Sequence, residues 1–172
     1  DRPTDPVRWQ RLMEGVRSAR AQGAHVTAQI AGRPVGVMLG VDTALNPFSI
    51  RPSYQELLKL PAKERLTRLQ DSAIRAAILN DKPSDELVSR LSQFRMQITT
   101  RWDRMFVMGD PLDYEPEASS SIAALAARSN HTPDEVAYDY LAQGADRFLF
   151  FPVVGYNEDN LDVIRTMLTD DA

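Results

Sequence analysis

With no cysteine in its 172 residues, the chain has no disulfide, no thiolate nucleophile and no cysteine-ligated zinc. Hydrophobic residues make up 43% of it, which excludes compositional disorder, and no apolar run approaches the ~20 residues of a membrane-spanning helix. The net charge of -4 is unevenly spread: residues 1–105 carry 17 Lys/Arg against 11 Asp/Glu, a balance of +6, whereas residues 106–172 carry 3 against 13, a balance of -10.

The basic half does not read as a nucleic-acid surface. Its arginines sit at helical spacing between leucines, as in ERLTRLQDSAIRAA, and no aromatic stripe interleaves them. The opening DRPTDPVRW is charged and lacks the apolar centre of a signal peptide, which with the absence of cysteine fits a cytoplasmic protein. No membrane or nucleic-acid partner is expected.

In chain order, Thr4-Asp5-Pro6 offers a cap and an N1 proline. Trp9, Leu12, Met13 and Val16 then recur on one helix face, and Gly23 is a natural stop. His25 to Ile30 follows as a strand that runs into a polar loop containing Gly32, Arg33, Pro34 and Gly36. From residue 41 to 103, prolines punctuate a helical subdomain. One helix starts at Pro61 with Leu66, Leu69, Ala73, Ala77 and Ile78 on one side. A second, capped by Ser84, turns Leu87, Val88, Leu91 and Phe94 inward.

RMFVMG predicts a short strand, and the serines of ASSSIAAL predict a helix cap. Thr132, Pro133 and Glu135 form a capping box, which gives Glu135 a structural task. RFLFFPVV is a continuous apolar strand of the kind buried on both faces of a parallel sheet. Asn157 is the expected cap of a last helix with Leu161, Ile164 and Leu168 inward. The pattern is α/β and helix-rich: a helix-strand-loop over 1–40, a helical insertion over 41–103 and an α/β segment over 104–172, of which the first and last are barrel-type on the resemblance given below. Three short strands make a thin sheet, so neighbours from a larger parallel-sheet protein are expected.

The two histidines, His25 and His131, show no metal-ligand spacing; no G-x-S-x-G elbow or phosphate loop is present. The acids of YNEDNLD and TDDA fit a helix N-terminus and a chain end. No catalytic residue and no metal ligand is assigned. Gln29 and Arg33 stand out because side chains at a barrel strand's C-terminal end face the substrate, and the arginine fork suits a carboxylate. An arginine that merely braces its own loop is the equal alternative.

At these residues the chain resembles a known family. AHVTAQIAGRPVGVMLGVDTALNPFSIRPSYQELLKLPAKERLTRL and SIAALAARSNHTPDEVAYDYLAQGADRFLFFPVVGYNEDNLDVIRTML are similar, in order, to segments of the N-acyl-D-amino-acid deacylases (D-aminoacylase-like) of the amidohydrolase superfamily. The resemblance implies an internal, partial (β/α) TIM-barrel segment with an inserted helical subdomain. It implies a zinc-dependent hydrolase of the amide bond in N-acyl (D-)amino acids, whose metal ligands and catalytic aspartate match no position here. The chain is therefore expected to bind no cofactor, to be inactive on its own and to partner the rest of the barrel, with Gln29 and Arg33 facing the substrate. A freestanding helical binding or oligomerisation module is the competing expectation, and open strand edges make a homo-oligomer a possible outcome of either.

Overall fold

Gly23 ends the first helix, α1 (Arg8–Ala21), at a φ of 91° that favours glycine. The structure, a computed structural model, describes residues 5–89, 91–156 and 160–171, without the side chains of Gln93 and Phe94. The proposed caps Thr4 and Asn157 and the Phe94 contact lie outside the described residues. Val7 stands at the cap position of α1, so Pro6 precedes the helix instead of opening it. Met13 is buried, Trp9 and Val16 are half-buried, and Leu12, predicted to face inward, is 57% exposed.

The further helices are α2 (Pro52–Leu57), α3 (Ala62–Leu69), α4 (Ser72–Asn80), α5 (Asp85–Ser89), α6 (Gln93–Thr100), α7 (Ile122–Ser129), α8 (Pro133–Leu141) and α9 (Asp162–Leu168). Strands β1 (Val35–Leu39), β2 (Phe106–Val107) and β3 (Leu149–Val154) form a sheet in the order β1-β3-β2. The fold is thus α/β and rich in helix. Segments cluster into two units. One comprises Asp1–Val37, Leu112–Glu117 and Pro152–Ala172; the other comprises Met38–Pro111 and Ala118–Phe151.

Two strand expectations are corrected. His25–Ile30 is not a strand: residues 24–31 carry no regular secondary structure, and β1 begins only after Pro34, inside the stretch read as a loop. A strand exists through its ladder, and an alternating apolar run with no neighbour forms none. The sheet is also not purely parallel. Phe106 opposes Phe150 and Val107 opposes Leu149 in antiparallel register. RMFVMG contributes only Phe106–Val107, whereas RFLFFPVV gives β3, whose first four residues are buried. No closed barrel is present among the described residues.

Two helices predicted as continuous are broken. Asp71 interrupts the run from Pro61 and caps α4, accepting from the Ala73 and Ile74 amides at 2.8 and 3.4 Å. Ser92 starts α6 as a separate helix by accepting from the Arg95 amide at 3.3 Å. Ala73 and Ala77 are consequently exposed, while Leu69 and Ile78 remain buried. The caps read from sequence hold elsewhere. Ser121 accepts from the Ala124 amide at 3.2 Å, and the Glu135 carboxylate accepts from the Thr132 amide at 2.8 Å in the capping box of α8.

The Met38–Pro111 and Ala118–Phe151 unit holds most of the buried apolar side chains. The Phe48 ring meets Tyr138 edge-on at 5.3 Å and Tyr54 at 6.1 Å. Both phenols are satisfied: Tyr138 donates to the Leu69 carbonyl at 2.9 Å, and Tyr54 donates to the Val41 carbonyl at 2.7 Å. The Asn46 amide, 1% exposed, donates to Tyr54 and to the Gly40 carbonyl while accepting from the Phe48 amide. Burial pushes the Tyr54 hydroxyl up to about 12 and the Tyr138 hydroxyl also upward.

Arg51 closes this unit. Its guanidinium donates to the Ile78 and Leu79 carbonyls at 2.8 and 3.2 Å, which α4 cannot satisfy internally, and to Asp134 in the first turn of α8 at 2.8 Å. Burial raises the Asp134 carboxyl, but the hydrogen bonds from Arg51 and Thr132 and the Arg51 charge outweigh it and hold the group below the usual carboxylate value.

The other unit has a thin core. Among its described hydrophobic residues only Met13, Tyr156 and Ile164 are buried, while Val7, Leu12, Val26, Val35, Val154 and Leu168 are exposed. Leu168, predicted inward, is 53% exposed. Gly155 allows close packing here. Its φ is 83°, and an added Cβ would lie 2.7 Å from Ile164 Cδ1.

Two stability outcomes follow. Asp134→Asn lowers stability by about 2 kcal/mol at neutral pH, the worth of a hydrogen bond to a charged group. Because the folded pKa of Asp134 is depressed, its contribution is present above the unfolded aspartate value of about 3.9. It is lost as pH falls through the lower folded value, so urea titrations of the wild type and the variant converge in acid. Gly155→Ala destabilises by about 2 kcal/mol through strained φ and the Ile164 clash. Gly15→Ala, in α1 with nothing within 4 Å, stabilises the chain instead. Equal thermal shifts for the two glycine variants contradict this.

Candidate functional site

Arg33 lies at a bend between Gly32 and the buried Pro34. Proline fixes its own φ and restricts the residue before it, so the arginine is launched from a stiffened backbone. Its side chain is exposed, and it makes no ion pair with any described acid. Its guanidinium carbon lies 5.2 Å from the centre of the Tyr114 ring, within cation–π range.

Tyr114 is half-buried in a loop that is tied down on both sides. The preceding Asp113 carboxylate accepts from the Glu115 amide at 2.8 Å. Glu115 reaches the Leu161 amide at 2.8 Å, and the Tyr156 hydroxyl donates to the Pro116 carbonyl. The acids flanking Tyr114 thus serve backbone amides. The arrangement brings residues 32–34, 113–116, Tyr156 and Leu161 together within one unit.

Gln29, the other residue singled out from sequence, is exposed, lies in the stretch without regular structure and makes no side-chain hydrogen bond to a described residue. The structure therefore joins Arg33 to an aromatic partner and leaves Gln29 outside that contact. Tyr114 carries little signal in the sequence. It is one tyrosine between two acids, and its role depends on a chain reversal that local pattern does not encode.

A concavity of about 470 Å³ lies within the helical unit and is lined by Leu45, Ile50, Leu58, Leu87 and Leu91 with several polar groups. Most of those polar groups have internal work, whereas the Arg95 guanidinium, also on the lining, makes no ion pair with a described acid. Arg65 pairs with Asp42 at 2.6 Å and donates to the carbonyls of Val41, Leu57, Leu58 and Leu60. Thr43 donates to the Leu45 carbonyl at 2.6 Å, Ser49 donates to the Asn46 carbonyl at 2.8 Å, and Gln55 donates to the Ser49 carbonyl. This lining shapes an apolar hollow and holds no acid–base pair poised for chemistry.

The zinc implied by the resemblance finds no fitting donor set. Among the described residues no three His, Asp or Glu side chains gather as ligands. His25 is exposed, and His131 lies 3.7 Å from Glu135, whose carboxylate is committed to the α8 cap. A zinc site needs about three protein ligands at bonding distance, so no chemical step is assigned to a metal on these residues. No family model matches the chain, and neither a curated protein nor a solved structure matches it.

Proposed function

We propose that this chain supplies a substrate-binding part of a zinc-dependent amidohydrolase of the cytoplasm that hydrolyses N-acyl (D-)amino acids, and that it is inactive by itself. The observation that carries the reading is the Arg33 guanidinium, exposed, without an acid partner among the described residues and seated on an aromatic ring. Its planar donor edge suits the α-carboxylate of an N-acyl amino acid. Hydrolysis breaks the acyl C–N bond, adds water across it, and yields a free carboxylate and a free amine. Arg33 holds the carboxylate that does not react, so its contribution is to binding and orientation.

The thin core around α1 and α9 supports a place inside a larger (β/α) barrel, where Val26, Val35 and Val154 would meet further strands and helices. This reading requires β2 and β3 to exchange their antiparallel pairing for parallel neighbours in the assembled barrel. The helical unit favours a second reading, a binding module without catalysis, because it closes its own core around Tyr54 and Tyr138 and holds a roomy apolar hollow.

The complete reading frame containing this chain, expressed and supplied with zinc, tests the two. The first reading expects release of free amine from N-acetyl-D-amino acids and retention of zinc after dialysis, with no stoichiometric zinc on residues 1–172 alone. Absence of amine release leaves the module. Within an active enzyme, Arg33→Gln raises KM for N-acetyl-D-leucine by about tenfold or more, the loss of a charge-assisted hydrogen bond. It leaves KM for N-acetyl-D-leucinamide, which has no carboxylate, nearly unchanged. Equal losses on the two substrates reject the role of Arg33.

A further inference from the structure

We propose that Tyr114 is the positioning residue for Arg33, holding one face of the guanidinium so that its donor edge stays open to a carboxylate; this rests on the reading of Arg33 above. The geometry is specific. A long arginine on an exposed bend has many rotamers to lose before it can grip a ligand, and a ring 5.2 Å from its carbon restricts them. An aromatic face does this without occupying the N–H donors, whereas a carboxylate partner would consume the fork that the ligand needs.

The ring is itself fixed. Asp113 and Glu115 turn toward backbone amides, and Tyr156 anchors the Pro116 carbonyl, so the loop presents the ring without placing an acid on Arg33. Preorganisation of this kind acts on affinity and leaves the bond-breaking step alone. The contact also gives the arginine a signature, because an aromatic ring shifts the resonance of protons held above it.

The test is an NMR titration of the full chain with N-acetyl-D-leucine and, separately, N-acetyl-D-leucinamide. It follows the Arg33 Nε–Hε cross-peak, assigned by its loss in Arg33→Gln. In the wild type the acid moves this peak and binds more tightly than the amide. Tyr114→Leu relocates the peak before any ligand is added and raises Kd for the acid about threefold while leaving the amide unchanged. Tyr114→Phe keeps the ring and matches the wild type, and Tyr114→Trp binds the acid at least as well. A wild-type response with Tyr114→Leu unchanged, or with Tyr114→Phe as weak as Tyr114→Leu, overturns the role of Tyr114 and leaves that of Arg33 standing. No response of the Arg33 peak to the acid in the wild type overturns both.

Discussion

The helical unit depends on one guanidinium. Arg51 is 12% exposed and meets three kinds of demand at once: two carbonyls at the end of α4, a carboxylate at the start of α8 and the face of Phe48. Each of these groups would be costly to leave buried without a partner, and the caps of their own helices, Asp81 and Thr132, meet them only in part. The pair therefore fixes how α4 meets α8, and the aromatic cluster of Phe48, Tyr54 and Tyr138 fills the space that this fixes. Asn46 repeats the strategy on a smaller scale, tying a loop to the buried Tyr54 phenol.

Arg33 is the counterpart in the other unit, with the opposite disposition. It has a ring beneath it and no described acid beside it, so its donors remain available. The apolar groups around this unit are likewise uncommitted, from Leu12 on α1 to Leu168 on α9. Arg51 is spent within its own unit, whereas Arg33 rests on a ring and makes no ion pair with a described acid. This contrast, more than the presence of any motif, is the ground on which a binding role is proposed for Arg33.

Much of the local structure was legible because its causes lie within a few residues. The stop at Gly23, the Ser121 cap and the Thr132–Glu135 box each need only a short window of sequence. The helix break at Asp71 was equally local, but the leucines and alanines on either side kept an unbroken period that masked it. Strands were legible where burial was overwhelming, as in β3, and in part at RMFVMG, of which Phe106–Val107 forms β2. His25–Ile30 has strand composition and no partner, whereas Val35–Leu39 lies beyond an Arg-Pro that reads as a loop and pairs all the same. The candidate site was half legible. Arg33 could be picked out by its place after an apolar run, but its ring arrives from a distant loop, and only the folded chain shows it.

Arg65 carries one consequence beyond the architecture. Its flat group spreads over Asp42 and the carbonyls of Val41, Leu57, Leu58 and Leu60, a fan of acceptors around the end of α2. A lysine there would preserve charge yet offer a single compact ammonium with three protons. Codon drift from arginine to lysine is therefore barred at this position, though neutral at a solvent-facing cation such as Arg68, and related chains should record that difference as a fixed letter beside a drifting one.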